Sequence, residues 1–362
     1  MKLMSWRPYA AAAAVALMSC IAWAQGPPAL WESLDRQGDQ PRPQHEESLA
    51  LHRQALALAE HESSADFASV QWLHAVWRSS AKIGDLLAEL GRHGEALAAF
   101  NRGLEAASRL AKAEPDRAEW QRAIAMLLLG IGDSLVVLKR PQEALQAFRE
   151  ALAVSEKLAL ARSSPPLTRR SIMVAQGKIG GVLWEQGDFA GALAVYQAAR
   201  AIAKTRALPE DDTSQDDLAT ADEAVGVTLT GLGSFDDARE VLQESLAIRE
   251  RLWARKSDAA RVYALSVTRE LIGKAFLRQG NLAKSLEAFE TSLGLRQSAI
   301  AADPANPAWQ LSAASSFGQV GTVLALLGRR DQARASLQKG RAISVRLGDD
   351  TAWFDSELSR LE

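Results

Sequence analysis

The sequence predicts an all-α protein, a solenoid of stacked antiparallel helical hairpins. The first observation is a repeat of about 48 residues that runs almost the whole length of the 362-residue chain. The second is the helical spacing of apolar residues around the landmarks of each copy. One hairpin cannot bury its apolar face alone, so successive copies must stack on one another. The landmarks are glycines 46 to 48 residues apart, each preceded by Ile or Val: Gly84, Gly132, Gly180, Gly226, Gly273 and Gly321.

The first helix of each repeat is predicted around this glycine. In the first copy, Ile83, Leu87 and Leu90 recur at helical spacing, and the glycine lets a second helix approach closely. Another glycine follows seven residues later in five of the six copies, and Lys139 replaces it in the second copy. A glycine at the end of a helix adopts a left-handed cap, so we predict a turn at this position.

The second helix of each repeat is predicted after that turn. In the first copy, Ala96, Phe100 and Leu104 form the apolar stripe of an amphipathic helix. A small residue and a large apolar residue recur at the same two positions in the other copies, for example Ala144 and Phe148. Each repeat is therefore predicted to be a helical hairpin.

The spacing of these landmarks resembles that of the tetratricopeptide repeat. Residues 83–104 (IGDLLAELGRHGEALAAFNRGL) and 272–293 (IGKAFLRQGNLAKSLEAFETSL) look like the core hairpin of that family, and the resemblance covers roughly residues 46–350. It implies a right-handed α-solenoid whose first helices line a concave face. The usual repeat of the family has about 34 residues. The longer copies in this chain resemble the long-repeat type found in bacterial interaction proteins.

Residues 46–362 are predicted to form a single solenoid. It contains an N-terminal half-repeat helix, six helical hairpins and a C-terminal capping helix. Residues 25–45 contain four prolines and are predicted to be a flexible lead-in. An acidic segment at 208–215 is predicted to be a long loop, with a bend in the solenoid as the alternative.

Residues 1–24 resemble a secretory signal peptide. Lys2 and Arg7 are followed by an apolar stretch, and an A-x-A cleavage signal ends at Ala24. The sequence therefore predicts an exported protein, periplasmic or secreted. The alternative is a membrane-anchored lipoprotein, because the residues that end at Cys20 (LMSC) also resemble a lipobox.

The composition argues against several functional classes. A near-neutral chain, with a net charge of −2 and no basic stripe, is a poor nucleic-acid binder. The phosphate-binding and hydrolase motifs are absent from the sequence, and Cys20 is the only cysteine. We therefore predict a non-enzymatic scaffold that needs no cofactor or metal and binds a protein or peptide. The alternatives are a lipid-anchored assembly factor and, third, an enzyme or metal-binding protein, for which His45 and His52 would be the candidate ligands.

The predicted binding surface is the exposed stripe of the first helices. Its basic edge, acidic edge and partly apolar floor, which includes Leu129 and Val174, suit an extended or helical peptide. The alternative is that these charges only solvate the face. The candidate partner-binding residues are His74, Arg78, Asp85, Glu89, Arg122, Met126, Asp133, Arg170, Trp184, Glu185, Glu270, Lys274 and Arg278.

Overall fold

Fifteen helices make up most of the described part of the chain. The computed structural model describes residues 26–40, 45–65, 69–160 and 168–362, and it contains no strand within these ranges. In chain order the helices are α1 (Pro27–Gly38), α2 (His45–Ala65), α3 (Val70–Glu89), α4 (His93–Ala113), α5 (Ala118–Val137), α6 (Pro141–Ala159), α7 (Thr168–Glu185), α8 (Phe189–Arg206), α9 (Asp212–Gly231), α10 (Phe235–Arg255), α11 (Ala259–Arg278), α12 (Leu282–Ala302), α13 (Pro307–Leu326), α14 (Arg330–Leu347) and α15 (Ala352–Ser359). The predicted signal peptide, with Cys20, lies outside the described residues.

The helices fall into two compact units, Met1–Val182 and Leu183–Glu362. The boundary between them falls within α7, and the single solenoid over residues 46–362 stays a prediction. Each hairpin of a repeat array contacts mainly its neighbours, so two compact units form without any change of fold. We call them the N-terminal unit and the C-terminal unit.

The predicted hairpins are present in both units. In the N-terminal unit α3 packs on α4 and α5 on α6, and in the C-terminal unit α9 packs on α10, α11 on α12 and α13 on α14. Helices α7 and α8 form where the third repeat predicts them. The final helix, α15, packs on α14, as expected of a terminal cap. The largest fully buried side chains, Trp120, Phe148 and Phe289, occupy the predicted core positions.

The first glycine of each repeat permits the close crossing of its two helices. A Cβ atom added to Gly273 would lie 2.7 Å from the Phe289 ring, and one added to Gly321 would lie 2.7 Å from Cγ of Leu337. Carbon atoms cannot approach this closely without displacement of the side chain or the backbone. The large apolar residue of the second helix therefore packs directly on the backbone of the first.

The second glycine of each repeat adopts the left-handed cap that the sequence predicts. Its φ is +73° at Gly91 and +84° at Gly280. In the second repeat Lys139 adopts the same conformation, with φ of +60°, and it is the only residue other than glycine with a positive φ in the described part of the chain. The repeat therefore keeps the same turn geometry in the second copy, although the Cβ atom of Lys139 disfavours this conformation.

Replacement of Lys139 by glycine is expected to raise the free energy of unfolding by up to about 1 kcal/mol. The left-handed conformation costs a residue with a Cβ atom about 1–2 kcal/mol, and the greater freedom of glycine in the unfolded chain offsets part of this gain. Lys139→Ala keeps the Cβ atom and is the matched control. Urea unfolding of the two variants checks the prediction, and equal stability of Lys139→Gly and Lys139→Ala would contradict it.

The predicted flexible lead-in at residues 25–45 is wrong for most of its length. Residues 27–38 form α1, which begins with two prolines in its first turn, where proline is well tolerated, and packs on α2. Gly38 lies 46 residues before Gly84, and a Cβ atom on it would lie 2.6 Å from the His52 ring. Helices α1 and α2 are therefore an additional repeat. The predicted half-repeat helix has a partner.

The acidic segment at 208–215 is shorter as a loop than predicted, because α9 begins at Asp212. The Asp211 carboxylate accepts a hydrogen bond from the Thr213 amide at 3.1 Å and caps the helix. Acidic side chains stabilise a helix start, since they accept hydrogen bonds from its free N–H groups and interact favourably with the positive end of its dipole. These acidic residues therefore mark a helix start.

Helix α5 is the one helix in the described ranges that is long and apolar enough to cross a membrane, by length and composition alone. Half of that apolar stretch (50%) is buried inside the protein. Leu127, Leu128 and Ile131 lie in the core. These properties are those of a core helix in a repeat protein.

Candidate functional site

An open groove in the N-terminal unit crosses three first helices. Its volume is about 430 Å³. Helix α3 contributes Trp77, α5 contributes the central part, and α7 contributes the far wall. The residues on which the groove depends are Trp77, Arg122, Met126, Leu129, Arg170 and Val174. Five of these six are residues that the sequence predicts on this face, and Trp77 is an addition.

The floor of the groove is apolar and accessible. Met126 is 49% exposed and Val174 is 40% exposed, which are large values for side chains of this kind. They stand at the same position of successive repeats, 48 residues apart. An exposed apolar patch with a polar rim is typical of a binding surface.

The rim of the groove is basic. Arg122 is exposed one helical turn before Met126, and Arg170 has the same relation to Val174. The one carboxylate that lines this groove, Glu119, already forms an ion pair with Arg117 at 3.0 Å. The groove therefore presents two guanidinium groups beside an apolar floor.

His74 and Arg78, two of the predicted site residues of the first repeat, do not line this groove, and both contact α1. Arg78 donates a hydrogen bond from Nε to Oδ2 of Asp35 at 2.8 Å. Trp31 donates from Nε1 to Oγ of Ser79 at 3.1 Å, and its ring lies 6.4 Å from that of His74. Burial lowers the pKa of His74 from its usual 6.5. His74 and Arg78 thus make intramolecular contacts, and their predicted partner-binding roles stay predictions.

Asp35, Asp39 and His52 form a cluster that could in principle hold a metal ion, since their donor atoms lie within 4.8 Å of one another. Cationic side chains already engage both carboxylates, because Arg78 binds Asp35 and Lys82 lies 2.9 Å from Asp39. Burial raises the pKa of Asp35, but the neighbouring His52 and Arg78 outweigh it, so that the pKa is lowered. The cluster is best explained as an ion-pair network that fixes α1.

The acidic edge of the predicted surface is engaged in local pairs in the N-terminal unit. Glu89 lies 3.3 Å from Nδ1 of His45, and Asp133 lies 2.7 Å from Nζ of Lys178. Asp85 is exposed on α3. None of these three carboxylates lines the groove.

Trp184 and Glu185 are exposed at the end of α7, within the C-terminal unit. Trp184 is 39% exposed and contacts Phe189 edge to face, with the ring centroids 5.9 Å apart. The Trp184 ring therefore packs in part against the first residue of α8. Its predicted role as a partner anchor stays a prediction.

Of the three predicted residues of the fifth repeat, Glu270 is buried in the C-terminal unit, whereas Lys274 and Arg278 are exposed. Glu270 is only 8% exposed, and it binds Nζ of Lys274 at 2.6 Å and Nε2 of Gln319 at 2.7 Å. It also forms an ion pair with Arg296, which is 4% exposed. Burial raises the pKa of Glu270, but Arg296 and Lys274 outweigh it and lower the pKa. Glu270 is therefore held by partners within the fold, whereas Arg278 is exposed at the end of α11, and the partner-binding roles of both residues stay predictions.

A second buried ion pair in the C-terminal unit was not predicted. Glu223 accepts a hydrogen bond from Nε of Arg249 at 3.0 Å, and both side chains are largely buried. Glu223 and Glu270 each lie three residues before the repeat glycine, and Arg249 and Arg296 each lie 23 residues after it. This shared spacing in the fourth and fifth repeats is the signal that could have revealed both pairs.

Comparison with known proteins gives one family and one fold. Residues 78–109 and 223–252 each match a family model of the tetratricopeptide repeat. No curated protein sequence matches the chain.

Several solved structures are similar to the chain. BtubC (BKLC) from P. vanneervenii has a TM-score of 0.57 at 19% identity, over 71% of this chain and 92% of that one. The apo form of RapI has a TM-score of 0.57 at 12% identity, over 93% of this chain and 80% of that one. Aspartyl phosphate phosphatase F from Bacillus subtilis has a TM-score of 0.54 at 10% identity, over 89% and 75%. At these identities the likeness shows the fold alone.

Proposed function

We propose that this chain, which contains tetratricopeptide repeats, is an exported scaffold. It binds a protein or peptide in the groove of its N-terminal unit. The observation that carries the proposal is the exposed apolar floor of Met126 and Val174 beside Arg122 and Arg170. Apolar anchors supply most of the affinity of such a surface, and the rim charges set the orientation and the rate of association.

The composition of the groove supports binding in preference to catalysis. Its lining consists of apolar side chains, Ser171, two arginines and a glutamate that is already paired. Nucleophilic or acid–base catalysis needs a reactive group within hydrogen-bond reach of a positioned base, and this lining does not suggest such a pair. A non-enzymatic role is therefore part of the proposal.

Export is proposed from residues 1–24 alone. On this proposal the mature chain begins at Gln25, and a Cys20→Ser variant matures as the wild type does. The alternative is a lipoprotein that assembles envelope components and is tethered at Cys20. Labelling of cells with a radioactive fatty acid distinguishes them, because only the lipoprotein incorporates the label and only its maturation fails in Cys20→Ser.

The groove is tested by charge substitutions on its floor. Met126→Asp and Val174→Asp are each expected to weaken partner binding at least about tenfold, since a hot-spot side chain contributes about 2 kcal/mol or more. Both positions are exposed, so the melting temperature should change little. The measurement is quantitative affinity capture from a cell-envelope extract, followed by titration of the captured partner.

The matched control is Val345→Asp, which places the same charge at a valine that is 55% exposed on α14 of the C-terminal unit. It should bind the partner as the wild type does. If both floor variants capture the same proteins at the same strength as the wild type, the groove is not the binding site. Equal losses in all three variants would indicate a non-specific effect of charge.

A further inference from the structure

A separate cavity of about 410 Å³ lies within the C-terminal unit, among α11, α12, α13, α14 and α15. Its volume is in the range of small-ligand pockets, about 300–1,000 Å³. Leu311 and Ser315 of α13 line it and stand ten and six residues before the repeat glycine, the spacing of the exposed first-helix stripe. Most of the lining is apolar, with Leu277, Phe289, Leu311, Ala314, Trp353 and Phe354.

Two exposed aspartates, Asp349 and Asp350, line the same cavity from the turn between α14 and α15. Gly348 ends α14 with a φ of +71°, and the Asp349 amide donates to the carbonyl oxygen of Ser344 at 2.9 Å, which fixes the turn. Oδ1 of Asp350 accepts a hydrogen bond from the Ala352 amide at 2.9 Å. Neither carboxylate forms an ion pair with a basic side chain in the part of the chain that the structure describes. Two negative charges therefore stand beside an apolar cavity.

The other polar groups of the cavity add an acceptor without a donor. Nε2 of Gln319 donates to Oε1 of Glu270 at 2.7 Å, so Oε1 of Gln319 is the remaining end of that amide. This oxygen is buried and has no hydrogen-bond partner in the described ranges. Lys274, the one basic side chain among the described residues that line the cavity, already binds Glu270 at 2.6 Å. The cavity thus has acceptors that lack donors, whereas its own cation has a carboxylate.

We infer that this cavity is a second binding site, which takes an arginine side chain of a protein or peptide partner. A guanidinium group presents five N–H donors in one plane, and the carboxylates of Asp349 and Asp350 accept them in charge-assisted hydrogen bonds. The Trp353 ring is 49% exposed, and its face attracts the same cation. The aliphatic part of the arginine side chain packs along the apolar lining. Arginine fits better than lysine, because its planar group stacks on an aromatic ring and is more weakly hydrated.

The inference goes beyond the proposed function, because no residue of this cavity belongs to the groove of the N-terminal unit. The two sites also differ in charge. The groove presents arginines, whereas the cavity presents aspartates. A ligand that is drawn to one by its charge is therefore not drawn to the other.

The test uses two capped synthetic peptides and isothermal titration calorimetry with the full mature chain. The first peptide has one arginine between two leucines, and the second has citrulline, a neutral side chain of the same shape, in place of that arginine. The arginine peptide is expected to bind in a saturable manner and at least about tenfold more tightly than the citrulline peptide. Its affinity should fall as salt is raised, since the contact is between charges at an exposed rim.

Neutralisation of the aspartates gives the matching change in the protein. Asp349→Asn with Asp350→Asn should lower the affinity for the arginine peptide at least about tenfold and leave that for the citrulline peptide unchanged. Asparagine at position 350 can accept the same hydrogen bond from the Ala352 amide, so the melting temperature should change little. The control is Glu287→Gln with Glu290→Gln, which removes the same charge from exposed positions of α12 outside the cavity and should bind both peptides as the wild type does.

Three results would overturn the inference: no saturable binding of the arginine peptide, equal affinity for the two peptides, or equal losses in the aspartate variant and its control. The groove variants supply a further comparison. Met126→Asp and Val174→Asp should leave the affinity for the arginine peptide unchanged, and a change there would place the peptide in the groove instead. Loss of partner capture in those variants tests the proposed function alone, so the two can fail separately.

Discussion

Truncation of Glu270 to alanine is expected to lower the free energy of unfolding by about 3–5 kcal/mol, because it leaves a buried guanidinium without its carboxylate. Arg296 is 4% exposed and would keep only neutral partners, Oγ of Ser316 at 2.5 Å and the carbonyl oxygen of Ser312 at 3.0 Å among them. Neutral oxygens do not compensate the desolvation of a full positive charge. Urea unfolding of the variant measures this loss.

Removal of both charges is expected to be far less damaging than removal of one. In the double variant Glu270→Leu with Arg296→Met, side chains of similar volume replace the pair, and such replacements of buried ion pairs are often neutral or stabilising. The second repeat supports the choice of leucine, since Leu129 stands where the fifth repeat has Glu270. The control is Glu250→Ala, which removes a largely exposed carboxylate 2.6 Å from Arg269 and should cost no more than about 1 kcal/mol.

The pH dependence gives an independent check of the same pair. The pKa of Glu270 lies below its ordinary value of 4.5, so its ionised form stabilises the folded state. This contribution is fully present above the unfolded pKa and is lost as the pH falls through the folded pKa. The double variant should therefore lose less stability than the wild type as the pH falls below 4.5, the ordinary pKa of the glutamate. If Glu270→Ala costs no more than Glu250→Ala, the ion pair does not stabilise the core as described.

The sequence predicted the hairpins well because the landmarks of the repeat have direct mechanical roles. Glycine is the only residue type that fits under Phe289 at position 273, and Gly280 ends the helix with a positive φ. The sequence did not predict α1, because the prolines at 27 and 28 suggested a loop. In the structure they occupy the first turn of a helix. Gly38 continued the glycine series, but His52 stands where a large apolar residue was expected, so the extra repeat was missed.

The candidate site was predictable only in part, because helical spacing shows which residues share a face but not what covers that face. Met126 and Arg122 lie together in the groove as the spacing indicates. Arg78 has the same position in its repeat as Met126, yet it forms an ion pair with Asp35 of α1. Glu270 is buried because its partner Arg296 comes from the following helix, 26 residues away. Contacts over such distances follow from packing between helices, which a pattern within one helix does not contain.

The contact between Phe289 and Gly273 should appear as strong coupling in a double-mutant cycle. Phe289 is 1% exposed, and Phe289→Ala is expected to cost about 3–5 kcal/mol in unfolding free energy through lost burial and a cavity. Gly273→Ala is expected to cost about 1–3 kcal/mol, because its Cβ atom would lie 2.7 Å from the Phe289 ring. In the double variant the new methyl group enters the space that the ring has left. Its cost should be smaller than the sum of the single costs by about 1 kcal/mol or more.

A glycine-to-alanine change in the same hairpin separates this contact from general effects of alanine. Gly294 is an exposed residue within α12, and a Cβ atom there would meet no other atom within 4 Å. Gly294→Ala should therefore raise the unfolding free energy by about 0.5–1 kcal/mol, since alanine is the better helix former. Urea unfolding of the four variants yields the two single costs, the coupling and the effect of Gly294→Ala. Additive costs in the cycle, or stabilisation by Gly273→Ala equal to that by Gly294→Ala, would mean that the helices do not cross at this glycine, and the register of the hairpin would have to be revised.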